Sequence, residues 1–478
     1  MNPRNRRLLV LLVLALAAVP IAVANAVVVG ERTTTIISPP PEGGSSDGAS
    51  DNIAFSQDNR ETRYIAYDSV ATNLVPGDTN GRRDVFLKVR DVPGANGNFN
   101  GQLRRVSVGR RGAQANGDSQ KPAIDGDTRR RPHCIVFEST ATNLDRADRT
   151  SDSDVYLYDT KRRRTSLISL RAKNARNAGV DGECEVVTYE SRGGVYVRSL
   201  KLRKTFKIAR GTNPDPATNG KGVAYERGGQ VYYQGFVEKF RSRRKGGPYI
   251  KRNGREILVS ANANRERGNG TSSNPSVDDN GYYVAFESTA TNLCAAGTGC
   301  PGAGTGDQNG AVSDIFRRNV NPRKAPTKEH MALVSYSQGC TTANPESKTV
   351  DAQGNGPSNN PSMTGAGENV VFDSEATNLK ESGGILVADA NGAVRDIYYW
   401  NFPRERGCGN VSRESRNEDS RESGTGQPYN GPSVNPAASS RANFIGFTSS
   451  QTGSSGETNG AQIPDVFVRF LGGSDEGR

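Results

Sequence analysis

The 478-residue sequence is poor in the residues that much enzyme chemistry relies on: two histidines, His133 and His330, one tryptophan, Trp400, and three methionines. With so little imidazole, general-base catalysis would fall to carboxylates. Only 33% of residues are hydrophobic and mean hydropathy is -0.66, so a single thick core is not expected. Many thin, short-stranded units suit such a composition better. No cysteine belongs to a Cys-x-x-Cys pair, and with two histidines no zinc pattern forms. HExxH, P-loop and Rossmann fingerprints are absent. So are sialidase-like S-x-D-x-G-x-x-W boxes, because the segment from Ser276 to Gly281 sets its glycine one place late. Gly44-Ser45-Ser46-Asp47-Gly48 fits G-x-S-x-G, but it lies in a linker without a strand before it or a helix after it.

Long apolar runs are missing too, with one exception. Arg4, Arg6 and Arg7 precede an apolar stretch from Leu8 to Val23, followed by Ala24-Asn25-Ala26. That is the layout of a secretory signal peptide over residues 1–26; an uncleaved anchor is the alternative, since Val27 to Val29 extend the run. Either way the remainder is expected outside the cytoplasm: extracellular, periplasmic or wall-associated. In an oxidising compartment the six cysteines, Cys134, Cys184, Cys294, Cys300, Cys340 and Cys408, read as three disulfides. Formal net charge is +11, and loss of the three leader arginines leaves +8. Basic runs stand at Arg129–Arg131, Lys161–Arg164 and Arg241–Lys245. For an exported chain these suit acidic wall polymers or anionic headgroups better than nucleic acid, and solvated loop charge is the plainer reading.

What is present is repetition. FESTATNL occurs at Phe137–Leu144 and again at Phe286–Leu293, with relatives beginning at Tyr67, Phe372 and Phe447 and shortened copies at Tyr189 and Tyr225. Each follows a short β-branched or aromatic run, such as CIVF at 134 or YVAF at 283. A second strand follows, usually opened by aspartate, as in DVFLKV at 84 and DVYLYD at 154. A third pattern carries serine (Ser107, Ser169, Ser260, Ser335, Ser412, with Ala209 the exception), and a proline-bearing strand opens most units (Pro122, Pro275, Pro361, Pro432). Four short antiparallel strands per unit is the composition of a propeller blade. The seventh unit ends its third strand at Asp465–Phe470, and Thr33–Ser38 matches the missing fourth. The expected fold is therefore all-β: a seven-bladed β-propeller over residues 33–470, closed by an N-terminal strand at 33–38 that completes the last blade. Residues 27–32 form a short N-terminal segment, 39–51 a Pro/Gly/Ser-rich linker and 471–478 a flexible tail. On this layout Cys134 and Cys184 staple blades two and three, Cys294 and Cys300 close one loop, and Cys340 and Cys408 bracket blade six.

The pattern PSVD-x-x-G-x-YVAFESTATNL…SDIF…LVS resembles the TolB-type β-propeller repeat of bacterial exported proteins, across roughly Thr33 to Phe470. The resemblance implies a propeller and a binding or assembly role, and such propellers also accompany hydrolases. TolB itself carries an α/β domain ahead of its propeller. Here only Val27 to Asn52 precede the first unit, so the likeness extends to the propeller alone.

Two repeated features bear on chemistry. Acid-x-Asn-Gly…Asp loops place Asp78 with Asp84, Asp307 with Asp314 and Asp389 with Asp396, oxygen ligands at a spacing that suits Ca²⁺. The same letters form ordinary turns, and the EF-hand's terminal Glu is missing, so the turn reading outweighs calcium; no other cofactor is expected. Ser69, Asn73, Ser139, Asn143, Ser288, Asn292, Ser374 and Asn378 recur in the ATNL element and read as structural turn-formers that bond their own backbone, with Leu144 returning to the interior. The expected function is a non-catalytic, monomeric exported module binding a protein or an anionic envelope polymer, with no stable membrane span once the leader is cleaved. The alternative is a carbohydrate-active hydrolase or lyase whose carboxylates converge over the central channel.

Overall fold

Each blade grows from one hairpin. In the second strand of every unit the residues alternate between two apolar faces, and both are buried because a neighbouring blade lies against each. The computed structural model of the chain describes residues 33–40, 43–58, 62–90, 99, 101–126, 132–239, 249–294, 307–321, 331–338, 350–365, 367–379, 391–402, 410–416, 430–451 and 463–471. The described residues form seven antiparallel sheets and one additional hairpin, Tyr336–Gln338 with Val350–Gln353, between blades five and six. The innermost strands are Ser50–Phe55, Ser119–Ile124, Arg176–Val180, Thr212–Pro216, Ser272–Val277, Ser358–Thr364 and Ser433–Ala438. Each touches the next around the ring, and Ser433–Ala438 returns to Ser50–Phe55.

The anchor aromatic of every copy stacks on the residue opposite it on the third strand. Tyr67–Phe86, Phe137–Tyr156, Tyr189–Tyr196, Tyr225–Tyr232, Phe286–Phe316, Phe372–Tyr398 and Phe447–Phe467 all stack, with centroids 5.5–6.0 Å apart. Such cross-strand pairs fix the register of each hairpin. Blades are then glued by apolar clusters shared between neighbours; one joins Ile53 and Phe55 of blade one to Phe444 and Val466 of blade seven.

Closure follows the expected route. Thr33–Ile36 pairs antiparallel with Asp465–Phe470, Thr33 opposite Phe470 and Ile36 opposite Phe467, as the outer strand of blade seven. Three details differ from the sequence reading. The first strand begins at Ser50, so the 39–51 linker ends inside it. In blade seven the proline equivalent to Pro275 and Pro361 is Pro436, not Pro432, because Asn435-Pro436 aligns with Asn274-Pro275 at the strand bulge. In blade six the repeated serine is Ser415 rather than Ser412, since it is Ser415 Oγ that donates to Asp396 at 2.6 Å while Ser412 turns to Glu414.

Candidate functional site

The channel is built from one backbone irregularity repeated seven times. Every innermost strand shifts register around its second or third residue. The residue there is left-handed in each case: Asn52, Lys121, Asn177, Asn213, Asn274, Asn360 and Asn435, with φ between 47° and 53°. Asparagine tolerates that conformation better than other side-chain-bearing residues, which explains six of the seven. The turned backbone aims an N–H toward the preceding blade, where the acid of the FES, YDS or YER segment receives it. Asp68 accepts from Lys121 N at 2.9 Å, Glu138 from Asn177 N at 2.5 Å, Glu190 from Asn213 N at 2.5 Å, Glu226 from Asn274 N at 2.8 Å and Glu287 from Asn360 N at 2.9 Å. Asp373 accepts from Asn435 N in the same way. The second letter of FESTATNL is thus the clamp from each of six blades to the next.

Side-chain amides tighten the ring. Asn213 Nδ2 donates to Glu226 at 2.8 Å and to Asn274 Oδ1 at 3.0 Å; Asn274 Nδ2 donates to Glu287 at 2.9 Å; Asn360 Nδ2 donates to Asp373 at 2.8 Å. At the lone basic position Lys121 Nζ reaches Asn177 Oδ1 at 3.1 Å. The six asparagines, Lys121 and the prolines beside them surround an opening of about 350 Å³. Burial pushes the Asp68 and Asp373 carboxyls up to about 6 and raises that of Glu138, while the donated N–H groups pull in the opposite direction. Asp215, half-buried in the same lining, is pushed up to about 7 by burial. Its single partner among the described residues is Val277 N, 2.7 Å from Oδ2.

A second ring lies farther out. Ser107, Ser169, Ser335, Ser415 and Ser38 each donate Oγ–H to the aspartate opening the third strand (Asp84, Asp154, Asp314, Asp396, Asp465) at 2.5–2.6 Å. In blade four Ser260 donates to Gln230 at 2.8 Å instead.

The calcium candidates fall in this second ring and are held by the protein's own donors. Asp78 and Asp84 meet across the Arg105 guanidinium, at 2.8 and 3.1 Å. Asp307 and Asp314 share the Gln353 amide. Asp396 faces Ser415 and Arg413, and Asp389 lies outside the described residues.

In the ATNL element the serine does bond its own turn: Ser69, Ser139, Ser288 and Ser374 accept the N–H two residues on, at 3.0–3.1 Å. The asparagine does something else. Asn73, Asn143, Asn292 and Asn378 grip the loop that enters the blade, Asn143 taking Asn116 N at 3.1 Å and giving to Gln114 O at 2.8 Å. Gly44–Gly48 belongs to one such loop, and its Asp47 receives Thr72 Oγ1 at 2.6 Å.

Cys134 and Cys184 form a disulfide between blades two and three. Asp125 lies beside these sulfurs, but both are oxidised, and the carboxylate instead accepts His133 N and Cys134 N at 2.8 and 2.9 Å. Cys294 is disulfide-bonded as well; Cys300, Cys340 and Cys408 lie outside the described residues, as do Arg129–Arg131, Arg241–Lys245 and residues 1–32. No helix among the described residues is long and apolar enough to cross a membrane.

The acid ring was missed in the sequence although it left a trace there. An acid recurs after the aromatic of six copies, and Asn-Pro recurs four times ahead of them. What hid the connection is distance: Glu138 and Asn177 are 39 positions apart and Glu287 and Asn360 are 73.

No family model matches the chain, and no curated protein matches it. Solved structures similar to it include tricorn protease, at 11% identity and TM-score 0.40, over 88% of this chain and 33% of that one. TolB from Acinetobacter baumannii aligns at 13% identity and TM-score 0.31, covering 64% of this chain and 63% of TolB. Oligogalacturonate lyase from Vibrio parahaemolyticus aligns at 10% identity and TM-score 0.44, over 93% and 98%. The chain thus spans about a third of the length of tricorn protease.

Proposed function

We propose that this chain is a non-catalytic, exported propeller that serves as a binding or scaffold module for a protein or a cell-envelope polymer. The observation that carries the reading is the state of the six acids of the clamp ring. Asp68, Glu138, Glu190, Glu226, Glu287 and Asp373 each accept a backbone N–H from the next blade, so they hold the ring rather than stand ready to exchange protons with a substrate. A rigid frame carrying long, non-repeating loops suits recognition. Export agrees with the leader-like first residues and with a disulfide in the fold.

A hydrolase or lyase reading rests on Asp215, whose raised pKa and channel position fit a general acid. The test incubates the chain and its Asp215→Asn variant with envelope polysaccharides and follows chain cleavage, alongside capture of partners from envelope extract at low and raised salt. Capture without cleavage is expected. Cleavage that disappears in Asp215→Asn sinks the non-catalytic reading.

A further inference from the structure

Five arginines from three separate segments line one groove of about 510 Å³ on the outer side of blades one and two. Arg110 and Arg111 occupy the tight turn after the fourth strand of blade one, Arg146 follows the ATNL turn of blade two, and Arg163 and Arg164 stand where the last strand of blade two begins. Some arginines elsewhere find carboxylates, as Arg105 does with Asp78 and Asp84, Arg176 with Glu190 and Arg469 with Glu414. Among the described residues these five find none. The one acid in the lining, Asp145, already accepts Ala147 N at 2.9 Å and Leu167 N at 3.1 Å.

The groove is held rigidly from beneath. Thr165 Oγ1 donates to Val108 O at 2.6 Å, tying blade two to the exit turn of blade one. Gly109 closes that turn by donating to Ala113 O at 2.8 Å, and it must be glycine, since a Cβ would stand 2.5 Å from Asn143 O. Two of the arginines also sit where arginine is conformationally disfavoured: Arg111 at φ 61° and Arg163 at φ 51°. Glycine or asparagine would relax both turns and remove the charge.

Unpaired like charges gathered on a fixed floor create a local positive potential, and planar guanidinium forks match the oxygens of carboxylate and phosphate. A single oxyanion engages a fraction of the groove. A chain whose anionic groups recur along its length engages all of it and releases its counterions. We propose that this groove binds an extended, non-nucleic polyanion, an envelope-type polymer bearing phosphate or carboxylate groups. The inference rests on the binding-module reading above and names its site and ligand class.

The test measures binding of the full chain to labelled inorganic polyphosphate and to polyglucuronate by fluorescence anisotropy across a salt series. Inorganic phosphate and single-stranded DNA of matched charge serve as comparators, and the two polymers distinguish phosphate from carboxylate recognition. Binding to at least one polymer is expected, tighter than to DNA. The triple variant Arg110→Ala, Arg146→Ala, Arg164→Ala should weaken it about tenfold or more and lower the log–log salt slope by about 2. Arg111→Gly and Arg163→Gly separate binding from folding: each should lower affinity about two- to fivefold while leaving Tm unchanged or higher. Wild-type affinity in the triple variant, no polymer binding at low salt, or DNA binding as tight as both polymers would overturn the proposal. Capture of a protein partner by a chain that binds neither polymer removes the groove from the binding-module reading without removing that reading. Polymer that is cleaved yet loses binding in the triple variant supports the groove and counts against the non-catalytic reading.

Discussion

The joint between blades two and three and the seam at blade seven close the same ring by different chemistry. The first is local. Glu138 receives Asn177 N, and a disulfide joins Cys134 to Cys184, 50 positions away. The seam unites residues separated by nearly the whole chain, and there the repeat gives way to unique residues. Thr448 stands where other blades carry an acid, and Asp51 takes over from the opposite side, accepting Thr448 Oγ1 at 2.7 Å, Asn435 Nδ2 at 2.9 Å and Asn52 N at 2.7 Å. Behind it the closing strand is pinned by Arg469, fully buried, which donates to Thr34 Oγ1 at 2.9 Å and pairs with the equally buried Glu414 at 3.3 Å. A repeating clamp serves neighbours that fold together. Joining distant ends takes residues that occur once.

The largest effect should come from breaking the seam. Arg469→Met takes the guanidinium away from the buried Glu414 carboxylate, and is expected to lower unfolding free energy by about 3–5 kcal/mol in a urea titration. Adding Glu414→Met should restore most of that loss, because an apolar pair no longer strands a charge. If the single variant loses under about 1 kcal/mol, the seam is not held by this pair.

The local joint should give less. Replacing both Cys134 and Cys184 by serine is expected to cost about 2–4 kcal/mol, by restoring freedom to the unfolded chain. A serine pair that destabilises more than Arg469→Met would invert the comparison and make the staple the dominant closure.

The two joints also differ in how far they could be read in advance. Blade count and strand closure were visible because each repeats a short string: Phe137, Phe286 and Phe372 announce a strand, and Thr33–Ser38 repeats the fourth-strand pattern down to Ser38. Cys134 and Cys184 stand at equivalent places in successive units, so their bond was legible too. The clamp ring was not, since its hydrogen bonds run from a side chain to a backbone N–H, and a backbone donor has no letter of its own. Pro432 and Ser412 were misplaced for a related reason: each lies within four residues of the true position, and the bulge or loop that shifts the register shows only in three dimensions. The Arg110–Arg164 groove draws on three loops, of which only the Lys161–Arg164 run stood out as basic in the sequence.

A smaller effect separates buried acids from both joints. Burial pushes Asp181, Asp278 and Asp314 up to about 7. An unfolded aspartate titrates near ~3.9, so the folded state binds these protons more tightly. Their contribution to stability is therefore fully present below about pH 4 and is lost as pH rises through about 7. Thermal melts should show Tm rising from pH 8 to pH 6. Asp278→Asn should flatten that rise while keeping an acceptor for Tyr282 N and Tyr283 N. A Tm that falls over the same interval contradicts the assignment.

The smallest effect concerns the one position where the clamp ring departs from its own rule. Lys121 holds φ 50° where six blades use five asparagines and the Asn52 of the seam. Lysine is disfavoured there by roughly 1 kcal/mol relative to asparagine, and its Nζ bond to Asn177 lies at an exposed site where such contacts return little. Lys121→Asn should consequently raise Tm by about 1–2 °C, with Asp68 still receiving the backbone N–H. A drop in Tm would mean that the ammonium group, set near Glu138, matters more to the ring than its backbone geometry, and that the departure at blade two stabilises the joint which the disulfide also closes.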